Sequence, residues 1–598
     1  DPLIINSRSY SSFRKYTPQL LQNLTFRSEG ICNSDLIDAI KHLQAINDSN
    51  KRSLGESVPI NFVPKNKRKL LFDETGKLVR ARWEECLFQE VEKSVHVGDV
   101  YIMGSTRFDS ISHFFIPEDE WKSKREVFFK RSGLPSNGIL AAKYLSTLIT
   151  EEIEQFNQEY GNDGVSKIEN GKLYPPKDET SSMNEEEQSK LNALNEIISQ
   201  NQRYVSLIEV CIEVQNKIDY ISCLNPKQRS LTPLEICEHI AVLLAYATNT
   251  GLTTMSTMTK IPIHCLRTIA NTLDDEALKR SLSVLVMAMM EHSMSAVWGI
   301  GKSSSSDGQK FVSTRKVLHN VFSHKLRDYG TEFYSFVADN FTPFHSEVIE
   351  CNERDAMYIP SGLSGIGAQV LDIEEHFTDT HGYSECTFTW CALSNIAFRP
   401  RIRDIHKQRL YCLDKNQDTG ILKPILKGHY IDLDNIAEQW DRIAHYCASI
   451  EYGTRAPNIG MKRIVNLTEK NPLYRAMKDV GRIYKTVHLL EYHRNPTLRK
   501  RITRGLNKGE SIHSLGRAIA YGKDGKLTQT TKEKEQYTCS SLTIIEAIII
   551  YWQTNEYERI LSSTDIETTI LKHISPVSWS NILIYGEYVF DESLIKTR

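Results

Sequence analysis

The sequence predicts a mixed α/β fold, a strand-bearing core flanked by helices inside a largely helical multidomain chain. Three observations carry that expectation. The run Phe333-Tyr334-Ser335-Phe336-Val337-Ala338 joins aromatic and β-branched residues, the composition of a strand. The stretch before it, residues 230–297, is patterned as helix. The stretch after it holds two amphipathic helices. One carries Ile436, Trp440, Ile443 and Cys447, the other Leu473, Met477, Val480, Tyr484 and Val487. Both alternate steps of four and three, which keeps one face apolar.

In chain order, residues 1–160 read as a mixed α/β scaffold, dimerisation or DNA-contact region, with a helix over 84–95 and a strand and turn over 100–104. Residues 161–229 read as a polar linker with connecting elements, because Asn170-Gly171 and Pro175-Pro176 break regular structure. Residues 230–297 form a helical scaffold. Pro233 suits a helix first turn, and a second helix is expected over about 276–296. Between them, residues 251–273 have the spacing of a helix-turn-helix, a form also common as plain packing. The core follows at 298–399, with Val348-Ile349 and Val370-Leu371 as further strand centres. A helical insertion fills 400–495, a helix carrying the third candidate acid spans 496–530, and 531–598 closes the chain as a helical region.

Composition narrows the class. No apolar run is long enough for a membrane span. The chain opens Asp1-Pro2-Leu3, with no Met and no basic-then-apolar leader, which reads as a fragment or processed product. The 12 cysteines include no C-x-x-C pair, so a zinc site is not supported and reduced thiols in a cytoplasm are expected. A net charge of -2 is no whole-chain signature of a nucleic-acid binder. Basic residues cluster instead at Lys65–Lys69, at Arg399, Arg401 and Arg403, and from Arg499 to Lys508. Each cluster also reads as a solvated face.

Three strings could carry chemistry. In Ser304-Ser305-Ser306-Asp307-Gly308-Gln309 small residues surround an acid, leaving room for an ion and a phosphate near the backbone; alone, such a string is more often a turn. Glu374-Glu375-His376-Phe377-Thr378-Asp379-Thr380-His381 gathers acids and histidines, and hard cations take carboxylate oxygens. In Leu506-Asn507-Lys508-Gly509-Glu510, continuing to His513 and Arg517, helical spacing places Glu510, His513 and Arg517 on one face, and Ile512, Leu515 and Ile519 on the other.

Together these strings resemble the replicative transposases of the Tn-three class. That family carries Ser-Ser-Ser-Asp-Gly-Gln, Thr-Asp-Thr-x-Gly-Tyr and Leu-Asn-Lys-Gly-Glu in this order. Further resemblance lies in Pro343-Phe344-His345, Phe398-Arg399-Pro400-Arg401-Ile402-Arg403-Asp404, Ser575-Pro576-Val577-Ser578-Trp579 and Arg14-Lys15-Tyr16-Thr17-Pro18. The likeness covers nearly the whole chain and lacks the family's N-terminal end-binding portion. It departs at Ile300, where many relatives carry an acid.

The resemblance implies an RNase H-like core: Asp307 on its first strand, Asp379 at the end of a later strand, Glu510 on a following helix. It implies that Asp307, Asp379 and Glu510 are catalytic and hold two Mg2+ ions, with Mn2+ able to substitute. It further implies 3′-end cleavage and strand transfer on double-stranded DNA, a homodimer and a cytoplasmic setting. Candidate DNA contacts are His345, His376, His381, Arg401, Arg403, Arg504, Lys508, His513 and Arg517. Asp339, ending a strand, is the alternative acid; Asp355 and Asp404 are expected to pair with nearby arginines. Two other readings stay open: an RNase H-like endonuclease without strand transfer, and a catalytically silent DNA-binding derivative.

Overall fold

The computed structural model describes residues 10, 14–28, 34–49, 53–55, 57–176, 185–225, 230–315, 317, 320–426, 428, 430–562, 568–586 and 588–596. The start of the chain, and residues 177–184 of the expected linker, lie outside them. The chain forms two compact units, Asp1–Tyr144 with Asp432–Val480, and Leu145–Ile431 with Gly481–Arg598.

In the first unit, helices Ser34–Asp48 and Arg80–His96 pack their apolar faces around Trp83, and a two-stranded antiparallel ribbon, Phe26–Ser28 with Val100–Ile102, borders them. Helix Leu433–Tyr452 belongs to the same unit and buries Ile436, Trp440, Ile443 and Cys447, the stripe expected from the sequence.

The second unit contains the sheet. Helix α1 (Pro233–Ala247) starts where Pro233 predicts, with Thr232 and Glu235 closing a capping box. Helix α2 (Asp275–Glu291) stops earlier than expected; His292 caps a 3-10 turn over Ser293–Val297 instead. The strands are β1 (Ser303–Val312), β2 (Val321–Ser323), β3 (Asp328–Ala338), β4 (Pro343–Glu350), β5 (Glu375–Thr378) and β6 (Ala397–Phe398). The sheet is mixed. β1 lies antiparallel to β3, and β3 antiparallel to β2 and β4. On its other edge β1 lies parallel to β5, and β5 parallel to β6. Helix α3 (Glu385–Leu393) makes the crossover from β5 to β6, with Ser384 as its N-cap.

Two further helices complete the core. Helix α4 (Pro496–Ile519) lies against β1, β5 and β3, and α5 (Lys532–Leu561) against β4, α1 and α2. Along β1 side chains alternate between faces. Ser305, Asp307 and Gln309 face α4, whereas Ser304 and Ser306 face the opposite side, and all four serine and glutamine side chains are buried. α5 is buried almost all round, apolar at Ile544, Ile545 and Ala547–Ile550 and carrying buried polar residues such as Glu535, Glu546 and Gln553.

Three local expectations fail for identifiable reasons. Val370-Leu371 is not a strand: residues Ala368–Val370 make a 3-10 turn, and periodicity cannot type so short an apolar run. Residues 167–174 are an antiparallel hairpin with Asn170-Gly171 as its turn, both at positive φ, so the NG signal marked a hairpin within the supposed linker. In helix Pro472–Arg494 the buried stripe steps by three after Val480, so Ile483 and Leu490 are wholly buried while Tyr484 and Val487 are half-exposed.

Candidate active site

The register of the parallel pair decides where two of the acids sit. Ser303 to Ser306 pair with Glu375 to Thr378, and β5 ends at Thr378. The next residue on each strand is an acid, Asp307 and Asp379. With a side-chain period of two, both fall on the face that Ser305 and Phe377 present to α4. Asp379 then turns the chain: its Oδ1 accepts the backbone N–H groups of His381 (2.8 Å) and Gly382 (3.3 Å). This Asx cap opens the short turn Thr380–Gly382.

The third acid arrives on α4. The helix approaches the sheet closely because Gly505 has no side chain: a Cβ there would stand 2.4 Å from Phe377 Cδ2. Ser305 Oγ donates to Gly505 O at 2.9 Å, and Leu498, Ile502 and Leu506 pack on Phe377. Glu510 follows five residues later and is exposed. The opposite face, Ile512, Leu515 and Ile519, is wholly buried, as the helical spacing predicts.

The charges of these acids act on one another. Burial pushes the Asp307 carboxyl up to about 6, and the charges of Asp379, Glu332 and Glu510 add to the rise; the Gly308 N–H, 2.8 Å from Oδ1, opposes it. So Asp307, Asp379 and Glu510, from three distant stretches of sequence, share one electrostatic neighbourhood. Two more acids join them that the sequence reading missed or misassigned. Glu332 is raised by burial and held by Lys310 at 3.2 Å, its cross-strand neighbour. Asp355 was expected to pair with an arginine. It is instead pushed up to about 8 by burial and then by Glu332, Asp379 and Asp307, with Lys310 opposing. No sequence signal marks Asp355, which lies in a short turn after β4; the alternation of β3 could have flagged Glu332 as a buried acid.

Oxygen donors of this kind suit a hard divalent cation, and a buried acid facing several others calls for positive charge. As placed, the side chains do not close into a ready three-ligand set among the described residues. The residues that could hold such an ion are Asp307, Asp379 and Glu510.

The other candidates divide. His381, Arg401, Arg403, Arg504 and Arg517 are exposed. Arg401 and Arg403 flank the site because their backbone N–H groups donate to Thr378 O (2.7 Å) and Thr380 Oγ1 (2.7 Å). His376 is a correction: it is fully buried, stacked between Phe336 and Phe398, and bonded to Ser304 Oγ (2.8 Å) and Ser306 Oγ (2.9 Å). Burial holds it neutral, its pKa down to about 3, so it can offer nothing to a phosphate. His345 is likewise buried, edge-on to Phe336. Lys508 is corrected too. Its ammonium donates to Trp298 O and Asp339 O and sits 4.8 Å over the Phe341 ring, which fastens α4 to the ends of β3 and the loop before β1. His513 does not share the solvent face of Glu510 and Arg517. It is buried, with Nε2 2.9 Å from Ser335 Oγ and Nδ1 3.6 Å from Asp307 Oδ2. Burial and Arg517 hold it neutral, down to about 4.

Asp339, the alternative acid, points away from the cluster: Oδ1 accepts Gly301 N–H at 2.8 Å and Oδ2 accepts Ser303 N–H at 3.3 Å. Asp404 pairs with Lys407 at 3.0 Å rather than with an arginine. Arg399 is held by Glu375 and Glu491, so that part of the basic cluster is structural. Ile300 is exposed and supplies no acid.

The class of the chain is that of a DDE transposase: the family model for the Tn3 transposase DDE domain matches residues 209–588. The chain belongs to that family. It is 29% identical over its whole length to the transposase for transposon Tn1546 of Enterococcus faecium. It is 28% identical over 99% of its length to that of Tn2501 of Escherichia coli, and 26% over 97% to that of transposon gamma-delta of Escherichia coli strain K12. The chain spans 60%, 60% and 59% of those relatives. No helix among the described residues is long and apolar enough to cross a membrane.

Proposed function

We propose that this chain carries the phosphoryl-transfer site of a DNA transposase, that its sheet with α3 and α4 is an RNase H-like core, and that Asp307, Asp379 and Glu510 are its catalytic and metal-holding acids. The observation that carries this reading is the register Ser306 with Thr378, which brings two acids from separate motifs side by side, while Gly505 lets α4 add the third. Two Mg2+ ions, or Mn2+ in their place, would activate the attacking oxygen and stabilise the leaving one.

The chain's own residues do the rest by position. The Gly308 N–H, 2.8 Å from Oδ1, orients the Asp307 carboxylate, and the neutral ring of His513 packs beside it, 3.6 Å from Oδ2. The backbone cap on Asp379 engages Oδ1, and among the described residues no hydrogen bond to its Oδ2 competes with a ligand. Arg401, Arg403, Arg504, His381 and Arg517 are the exposed basic candidates, and they contact phosphates of double-stranded DNA. In the reaction, water first attacks the phosphate at a transposon 3′ end. The freed 3′ hydroxyl next attacks a target phosphate, so each bond broken is matched by one formed. The outcome is replicative transposition through a cointegrate, by a homodimer acting in the cytoplasm.

The test is Asp307→Asn assayed on DNA with and without Mg2+. Loss of metal-dependent cleavage with DNA binding retained supports the assignment; retained cleavage ends it. Branched, joined products from the unmodified chain separate strand transfer from simple endonuclease action.

A further inference from the structure

β5 stops opposite Ser306, whereas β1 continues to Val312. From Asp307 onward, one edge of β1 therefore has no strand beside it among the described residues. A groove of about 770 Å³ occupies that edge. It runs from Asp307 and Glu510 between β1 and the last turns of α4 to Val312, whose carbonyl accepts the Leu527 N–H (2.8 Å). Gln309 Nε2 donates to His513 O (3.2 Å), tying strand and helix together within it.

The groove carries both signs of charge. Its near end holds the acids. Its walls also carry Arg517, Lys325 and Lys526, all exposed, together with the acid Asp524. Lys325 comes from the turn between β2 and β3, and Lys526 from the turn after α4, so cations stand on both walls. That second turn is strained. Lys523, Asp524 and Gly525 follow one another at φ of 55°, 56° and 71°. Non-glycine residues in the left-handed region are uncommon, and such strain collects where a loop is held for a purpose. Tyr521 also lines the groove and presents an aromatic surface. The volume is that of a small-ligand site, room for a few nucleotides of one strand and not for a double helix.

The geometry points to this groove as the seat of a short single-stranded DNA flank leaving the reacting phosphate, with Lys325, Lys526 and Arg517 on its phosphates and Tyr521 against a base. The inference rests on the reading of the acids as a DNA phosphoryl-transfer site. Cations on a backbone track beside an aromatic ring is the chemistry by which single strands are held without sequence preference. The acids at the near end would repel the same strand unless cations lay on them, so binding to the groove is expected to strengthen when Mg2+ is present.

The test compares two fluorescent probes, a duplex with a short single-stranded 3′ flank and the same duplex with blunt ends, by anisotropy across a salt series with Mg2+. The full chain binds the flanked probe more tightly. Lys325→Ala/Lys526→Ala loses that preference, roughly tenfold in affinity, and its salt slope for the flanked probe falls by about 1.4, two single-strand phosphates' worth. Binding of the blunt probe stays. Lys167→Ala/Lys172→Ala, which removes two exposed charges from the hairpin 167–174, leaves both probes unaffected. An unchanged preference in the Lys325/Lys526 variant overturns the assignment, as does an equal loss on both probes. Both variants change only exposed side chains, and an unaltered urea midpoint confirms the fold. Asp307→Asn separates the two levels: if it keeps metal-dependent cleavage, the reading of the acids fails; if it loses cleavage while the Lys325/Lys526 variant still prefers the flank, the groove alone fails.

Discussion

The bridge from His376 to Ser304 and Ser306 ties the two acid-bearing strands together, and its removal should be costly in a calculable way. His376→Leu keeps an apolar body between Phe336 and Phe398 but takes away both ring nitrogens. Ser306 Oγ keeps Tyr334 Oη at 2.7 Å, while Ser304 Oγ loses the side-chain partner it has at 2.8 Å. An orphaned buried hydroxyl costs about 1–3 kcal/mol, and the weakened Ser306 bond about 1 kcal/mol more. A total loss of about 3 kcal/mol is expected, read as a lower urea midpoint with an unchanged slope. The double variant Ser304→Ala/His376→Leu removes the orphan together with its cause and should regain about 1–2 kcal/mol, because replacing both partners of a buried bond by apolar groups is nearly neutral. If the double variant is no more stable than the single one, the hydroxyl is not what the ring satisfies, and the argument is wrong. The His376→Leu variant should also lose turnover, because β5 carries Asp379 three residues later.

Three further outcomes follow. Gly505→Val should displace α4 from Phe377, lowering stability by about 1–3 kcal/mol and removing metal-dependent cleavage, since overpacking moves the helix that bears Glu510; retained cleavage would show that the close approach is not needed. Asp307→Asn should raise the melting temperature of the metal-free protein by relieving buried like-charge repulsion, and should abolish the further rise that Mg2+ produces in the unaltered chain; a calorimetric titration decides it. Below neutrality the second unit should weaken. His376, His488 and His493 have folded pKa values pushed down to about 3 by burial, against about 6.5 unfolded. Above pH 6.5 these rings are neutral in both states and add no pH dependence. As pH falls below 6.5 the unfolded chain takes protons that the folded chain refuses, so each histidine removes about 1.4 kcal/mol per pH unit down to about pH 3. Buried Glu546, whose pKa is raised, opposes this by binding its proton in the folded state first. Urea midpoints at pH 7 and pH 5 measure the net slope, which should be reduced by one histidine's share in His376→Leu.

The sequence alone determined most of the kinds of element and singled out three candidate acids. Periodicity is a local property: the stripe on helix Leu433–Tyr452, the strand around Phe336 and the apolar face opposite Glu510 each follow from residue spacing, which any neighbour must respect. The motif strings point to Asp307, Asp379 and Glu510 through their resemblance to the family's three strings, taken in order. What the spacing could not show is which polar groups a partner from elsewhere would claim. His376 and Lys508 look like site residues in the motif strings, and both are buried in bonds to Ser304, Ser306, Trp298 and Asp339, residues of other segments. Asp355 looks structural in its string, and only the fold turns it toward Asp307 and Glu332. The groove beyond Asp307 exists because β5 is shorter than β1 and a loop after α4 returns to β1 at Leu527. Burial and charge contact sum over neighbours that are distant along the chain, so only the packed tertiary structure decides which acid is buried, which cation is used and which strand edge is left open.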